Sequence, residues 1–138
     1  MQAMAVIDVD DFKHINDNYG HDVGDIILQS IAQTVLSCVR KTDAVIRYGG
    51  DEFVIVFYNI PADVFEKKLE KIRYSIDSLI INGPPELHMS VSIGGAYGSG
   101  TAEKLFKVAD TMMYQSKNTK NKVTICFLNE KSGSKDNI

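Results

Sequence analysis

Ala44-Val45-Ile46-Arg47-Tyr48-Gly49-Gly50-Asp51-Glu52-Phe53-Val54-Ile55-Val56-Phe57 decides the fold. Two apolar, β-branched runs, Ala44 to Tyr48 and Glu52 to Phe57, stand on either side of Gly49-Gly50, and a glycine pair between such runs is a strong hairpin signal. Towards the N-terminus, Val23, Ile27, Ile31, Val35 and Cys38 recur at the spacing of one helix face, and Met4 to Val9 reads as a buried strand. Towards the C-terminus, a second helix starts near Pro61, a residue suited to a first helical turn, and runs through Phe65, Leu69, Ile72, Ile76 and Leu79. Asn82-Gly83-Pro84-Pro85 ends it. Met89 to Ile93 is the next strand. Thr101 caps a third helix with Leu105, Val108, Ala109 and Met112 on its inner face, and Val123 to Leu128 is the last strand.

The order strand, helix, hairpin, helix, strand, helix, strand predicts an α/β (α+β) domain with a mixed central sheet flanked by helices, most simply around a β-α-β-β-α-β core. No internal repeat and no linker divides it. Residues 1–128 are expected to form one domain, and 129–138 a polar, flexible tail.

Composition narrows the function. The chain has 138 residues, 44% hydrophobic and 24% charged, as an ordinary globular domain does. Its apolar runs fall far short of the ~20 residues of a membrane span. Asp8, Asp10 and Asp11 interrupt any secretory-type stretch. A cytoplasmic domain making no membrane contact is expected, whatever anchors a parent protein carries. Cys38 and Cys126 lie far apart in no metal-type pair and read as thiols in a reducing compartment. A net charge of -3 argues against a nucleic-acid partner. Locally, however, Asp8, Asp10, Asp11, Asp17, Asp22 and Asp25 crowd one stretch, while Lys104, Lys107, Lys117, Lys120 and Lys122 gather near the other end. Brought together, these groups suit a metal-bound polyphosphate.

Asp8 closes an otherwise apolar strand, where a carboxylate either meets a cation or is satisfied by hydrogen bonds. Gly49-Gly50-Asp51-Glu52 places two more acids directly after a turn too small to obstruct a ligand, and strand pairing can set Asp51 beside Asp8. Hard carboxylates without cysteine or paired histidine favour Mg2+ or Mn2+, and Mg2+ commonly works with substrate phosphates. An EF-hand fails on spacing, because Ile15 or Tyr19 would stand at its first ligand position. An aspartate-nucleophile phosphatase at Asp8-Val9-Asp10 is a weaker competitor, since Asp11 and Phe12 follow where that class has a small residue and a threonine. His14, His21 and His88 form no base-and-partner or ligand set.

Arg47-Tyr48-Gly49-Gly50-Asp51-Glu52-Phe53 resembles the signature of the GGDEF family of diguanylate cyclases. The resemblance extends to Asp8-Val9-Asp10-Asp11-Phe12-Lys13-His14-Ile15-Asn16-Asp17-Asn18-Tyr19-Gly20-His21-Asp22-Val23-Gly24-Asp25, to Ser90-Val91-Ser92-Ile93-Gly94, and to Ala109-Asp110-Thr111-Met112-Met113-Tyr114-Gln115-Ser116-Lys117. It covers about Met4 to Val123 and implies a nucleotidyl-cyclase, palm-like core. The implied reaction condenses two GTP into cyclic di-GMP and two pyrophosphates across a transient homodimer, under an upstream sensor domain. Asp8, Asp51 and the Val9 carbonyl would hold Mg2+ (or Mn2+), supported by Glu52. Asn16 and Asp25 would bond the guanine, Lys13, Lys117 and Lys120 would meet the triphosphate, and Gly49 and Gly50 would admit the nucleotide. Helix caps, solvated lysines and a bare turn explain these residues one by one. They do not explain why an acidic pair follows the double glycine while another acid ends the first strand. A non-catalytic GTP or cyclic di-GMP binding module is the alternative in another class.

Five residues separate Asp43 from Gly49, and Arg40-Lys41-Thr42-Asp43 stands where the family carries an inhibitory site for its product. Arginine suits it, because a planar fork grips phosphate or a guanine edge. Lys71 takes the place of a second arginine there. The competing reading is a cation at a helix end. Two departures from the family pattern bear on activity. The helical segment that precedes the first strand, about 40 residues by the usual domain length, is absent from the sequence. Lys117-Asn118-Thr119-Lys120-Asn121-Lys122 is one residue short and lacks a glycine-arginine step.

Overall fold

The computed structural model describes residues 2–81 and 87–128. Nine elements follow in order: β1 (Gln2–Val9), α1 (Phe12–Tyr19), α2 (His21–Cys38), β2 (Ala44–Tyr48), β3 (Glu52–Phe57), α3 (Ala62–Asp77), β4 (Val91–Gly98), α4 (Ala102–Lys117) and β5 (Lys122–Phe127). They build one five-stranded sheet in the order β2-β3-β1-β4-β5. β1 runs antiparallel to both β3 and β4, and β2 and β3 form the expected hairpin. β4 and β5 are parallel, with α4 as the crossover that a parallel pair requires. The mixed sheet and the β-α-β-β-α-β core are as the pattern predicts, with α4 and β5 added at one edge.

Side chains alternate across β1, and this alternation assigns the two layers. Ala3, Ala5, Ile7 and Val9 face a large core with Ile27, Ile31, Val35, Phe65, Leu69, Ile72 and Ile76 of α2 and α3. Met4 and Val6 face the opposite way, against Leu105, Ala109 and Met113 of α4. By the same parity Asp8 lies on the α4 side of the sheet. Thr101 caps α4 as expected, its hydroxyl accepting from the Lys104 amide at 3.1 Å.

The differences from the sequence reading are local. The segment after β1 forms a separate two-turn helix, α1, too short to show a period of its own. The strand expected over Met89 to Ile93 begins instead at Val91 and continues through Gly94 and Gly95 to Gly98. Gly94 does not end the strand but lets α4 approach it, since a Cβ there would overlap the Ala109 carbonyl and the Met113 amide. The inner face of α4 is completed by Met113 and Ser116, with Val108 and Met112 half-buried. The turn expected at Asn82-Gly83-Pro84-Pro85 and the tail from Asn129 lie outside the described residues. No helix among those described is long and apolar enough to cross a membrane.

Because α4 rests directly on Gly94, Gly94→Ala is expected to destabilise the domain by about 3 kcal/mol, the upper range for overpacking a fixed contact. Urea unfolding at equilibrium checks this. An unchanged midpoint would show that α4 can slide to accommodate a methyl group.

Candidate active site

Antiparallel pairing sets Asp8 directly opposite Glu52, and the Val9 amide donates to the Asp51 carbonyl at 3.2 Å. The acid at the end of β1 and the acid pair at the start of β3 are therefore neighbours through main-chain bonds alone. Gly49, at φ 77°, takes the left-handed conformation that closes the hairpin, and a Cβ on Gly50 would meet nothing within 4 Å. Arg47 braces the turn by donating to the Gly50 carbonyl at 2.7 Å.

Lys117, the last residue of α4, reaches this corner from above. Its ammonium lies 3.4 Å from Asp8 Oδ2, 3.4 Å from Asp10 Oδ1 and 3.3 Å from the Val9 carbonyl oxygen. Hard oxygens thus surround a cation. The second Asp8 oxygen, Oδ1, is buried and has no hydrogen-bond partner. These donors fit a small divalent ion: a carboxylate with a free buried oxygen, a main-chain carbonyl, and Asp51 and Glu52 alongside. Among the described residues no three acids or histidines form a complete ion cage.

Asp10 is the residue whose part the sequence reading missed. It is buried, and its carboxylate accepts from Ser90 Oγ at 2.6 Å, Ser92 Oγ at 2.6 Å and the Asn121 amide at 2.9 Å. It therefore fastens the end of β1 to β4 and to the turn after α4, a clamp satisfied by its hydrogen bonds. Only the spacing Ser90-Val91-Ser92, two hydroxyls on one face of a strand, hinted at it.

Asn16 on α1 is half-buried, with Oδ1 lying against Gly24 and lacking any partner. Asp25, the next residue, lines a cavity of about 200 Å³ with Leu28, Gln29, Ala32, Arg47 and Phe53. Asn16 thus lies against the residue that precedes Asp25, while Asp25 shares its cavity with Arg47 and Phe53 of the hairpin. Neither Asp22 nor Asp25 caps a helix, since Gly20 stands at the N-cap of α2. Lys13 is exposed and paired with Asp17 at 2.9 Å, and Lys120 is paired with Asp11 at 2.7 Å.

The second expected site lies at the far end of α2. The Arg40 guanidinium bonds both Asp43 oxygens, at 2.8 and 3.2 Å, and the Tyr58 carbonyl at 2.6 Å. The Asp43 side chain is fully buried, while Arg40 keeps part of its surface open. Lys71 lines an adjacent groove with Cys38, Val64, Lys67 and Lys68, and Lys68 caps α2 through the Cys38 carbonyl at 3.0 Å. Arg40 is thus tied into a turn rather than free at a helix end.

Electrostatics single out Asp8. Burial pushes its carboxyl up from the ordinary 3.8 to about 7; Lys117 pulls the other way, and Asp51 and Glu52 add to the rise. Glu52 is raised as well, by burial and then by Asp110 and Asp51. A group whose folded pKa is raised holds its proton more tightly when folded. Its contribution to stability is therefore complete below about pH 3.8 and lost as pH climbs through about 7. Asp8→Asn should accordingly raise the Tm of the magnesium-free domain by ~3–6 °C near pH 8, and by clearly less near pH 5. Thermal melts at the two pH values check this, and equal shifts would contradict it.

A family model described as "Diguanylate cyclase, GGDEF domain" matches residues 1–123. Diguanylate cyclase DgcM of Escherichia coli is 40% identical over 116 residues, which cover 84% of this chain and 28% of that protein. Diguanylate cyclase A of Treponema denticola is 36% identical over 129 residues, covering 89% and 34%. The chain spans about a third or less of these curated relatives. Among solved structures, the GGDEF domain of DgcB from Caulobacter crescentus in complex with c-di-GMP superposes with a TM-score of 0.83 at 30% identity, over 90% of this chain and 77% of that one. The active GGEEF domain of a diguanylate cyclase from Vibrio cholerae gives 0.82 at 28%, over 90% and 81%. The palm-like core that the resemblance implied is the fold of these neighbours. In sequence and in architecture, this chain belongs to the GGDEF-domain family of diguanylate cyclases.

Proposed function

We propose that this chain is the catalytic domain of a diguanylate cyclase, joining two GTP into cyclic di-GMP. The observation that carries this reading is the corner where Asp8, with its unpartnered buried oxygen, stands across the sheet from Glu52 and beside Asp51. Mg2+ or Mn2+ held there by Asp8, the Val9 carbonyl and Asp51, with Glu52 in support, would lower the pKa of a ribose 3'-hydroxyl and offset phosphate charge. The chain's own residues do the rest. Asn16 and Asp25 orient guanine, the carboxylate accepting from ring and exocyclic N–H groups that adenine does not present in that pattern. Gly49 and Gly50 keep the hairpin clear of the nucleotide. Lys117 and Lys120 hold the triphosphate, each exchanging an aspartate partner for phosphate oxygens. Lys13, exposed one turn before Asp17, would join them by rotating away from that partner.

In the bond-making step the 3'-oxygen of one GTP attacks the α-phosphorus of the second, the bond to the β-phosphate bridge breaks, and pyrophosphate leaves. Performed twice, this closes the ring. One domain offers one nucleotide site, so two copies meet face to face, and proximity sets the rate. Upstream sensor domains of a longer cytoplasmic protein would control that encounter. Arg40, Asp43 and Lys71 form the product-binding inhibitory site in this reading. DgcB, a neighbour solved with c-di-GMP, gives it support. Here Asp43 acts by holding the Arg40 fork in place, because its own carboxylate is buried.

Incubation with GTP and magnesium, followed by chromatographic identification of products, should give cyclic di-GMP and pyrophosphate. Asp51→Asn should lower that turnover by about a hundredfold or more while leaving thermal unfolding native-like. Release of inorganic phosphate would point to a phosphohydrolase, and nucleotide binding without turnover to a binding module. Separately, Arg40→Ala should weaken cyclic di-GMP binding by roughly tenfold or more, the scale of a charge-assisted hydrogen bond, with GTP binding unchanged. Calorimetry with both ligands checks this, and equal cyclic di-GMP affinity would return Arg40 to bracing the turn.

A further inference from the structure

The turn that joins α4 to β5 is built on two consecutive non-glycine residues in the left-handed region, Lys120 at φ 64° and Asn121 at φ 51°. Such a pair is costly and persists only where its surroundings hold it. On one side, the Asn121 main-chain N–H donates to Asp10 Oδ2 at 2.9 Å, inside the acidic corner. On the other, its side chain spans to α3, where Oδ1 accepts from Arg73 Nη1 at 2.9 Å and Nδ2 donates to Asp77 Oδ1 at 3.1 Å. An arginine offers only donors and an ionised aspartate only acceptors, so the side chain between them must offer one of each. Asparagine does, and it also tolerates a positive φ better than most residues. An aspartate in its place would set a second carboxylate against Asp77, and a glycine would keep the turn but lose the bridge.

We propose that Asn121 is a positioning residue for the nucleotide's triphosphate. Lys117 lies before the turn and Lys120 within it, and their ammonium groups stand on Asp8 and Asp10, and on Asp11. Asn121 fixes where these two cations stand by tying their turn to β1 through Asp10 and to α3 through Arg73 and Asp77. Without the bridge, the turn is no longer anchored to α3, and the lysines lose their aim at a phosphate chain. Nucleobase and ribose contacts lie elsewhere, on α1, α2 and the hairpin, and are not affected. This inference rests on the nucleotide site proposed above.

The test is calorimetric binding of GTP and of GMP, in magnesium buffer, to the wild-type chain, Asn121→Gly and Asp77→Ala, with a thermal melt of each. Asn121→Gly should bind GTP roughly tenfold more weakly, and Asp77→Ala about threefold more weakly, with GMP affinity unchanged in both. Equal losses for GTP and GMP would reduce Asn121 to a structural part, and wild-type GTP affinity in Asn121→Gly would overturn the inference alone. Failure of the wild-type chain to bind GTP would remove the nucleotide site and this inference together. If Asn121→Gly does not fold, Asp77→Ala decides by the same criterion, since Asp77 is partly exposed at the end of α3.

Discussion

Hydrogen bonding of β1 along both of its edges, to β3 on one side and β4 on the other, is the constraint from which the site follows. An eight-residue strand paired on both sides cannot slip by one residue without turning its whole apolar set inside out. Ala3, Ala5, Ile7 and Val9 are locked against α2 and α3. Asp8 is consequently held on the α4 face, opposite Glu52 and Ser92, at the end of the strand where the core stops. Its position is thus a by-product of burying its neighbours.

That placement has an electrostatic cost which the rest of the corner manages. Burial disfavours charge on Asp8, and Asp51 and Glu52 beside it add to the rise of its carboxyl. Asp10 is treated differently. Two serine hydroxyls and a main-chain amide satisfy it, so it serves as a strut between β1, β4 and the turn after α4. Lys117 supplies a cation to the corner from the end of α4, a helix that can sit close over β4 because Gly94 carries no side chain. The corner therefore combines an acid that is poorly satisfied and available to a ligand with an acid that is fully satisfied and structural. A single residue, Val9, separates these opposite fates.

Much of this was readable from the residues. Apolar periodicity gave the strands and the three long helices, because each buries one face along enough length to repeat. Gly49-Gly50 gave the hairpin, and the hairpin gave the meeting of Asp8 with Asp51. What escaped was either too short or depended on a distant partner. The eight residues of α1 make barely two turns and bury only Ile15. Gly94 resembled a strand end, since nothing local reveals a helix pressed against a strand. The buried state of Asp10 depends on serines 80 and 82 positions away, and the double role of Asn121 on partners 111 and 44 positions away. Neither leaves a pattern in its own neighbourhood. The Arg40–Asp43 pair was found by position, but the burial of Asp43, which makes it a support for Arg40, came only from the fold.

If the acidic corner is a divalent-cation seat completed by a nucleotide, Mn2+ should report it directly through the loss of its free-ion electron paramagnetic resonance signal. Titrating Mn2+ into the wild-type chain and Asp8→Asn, each with saturating GTP and against a GTP-only blank, isolates the contribution of that carboxylate. Wild type should bind the ion roughly tenfold or more tightly than Asp8→Asn, as loss of a charged ligand from a small ligand set requires. Equal binding by the two proteins would contradict a metal role for Asp8 and leave its buried, unpartnered oxygen without the chemistry assigned to it.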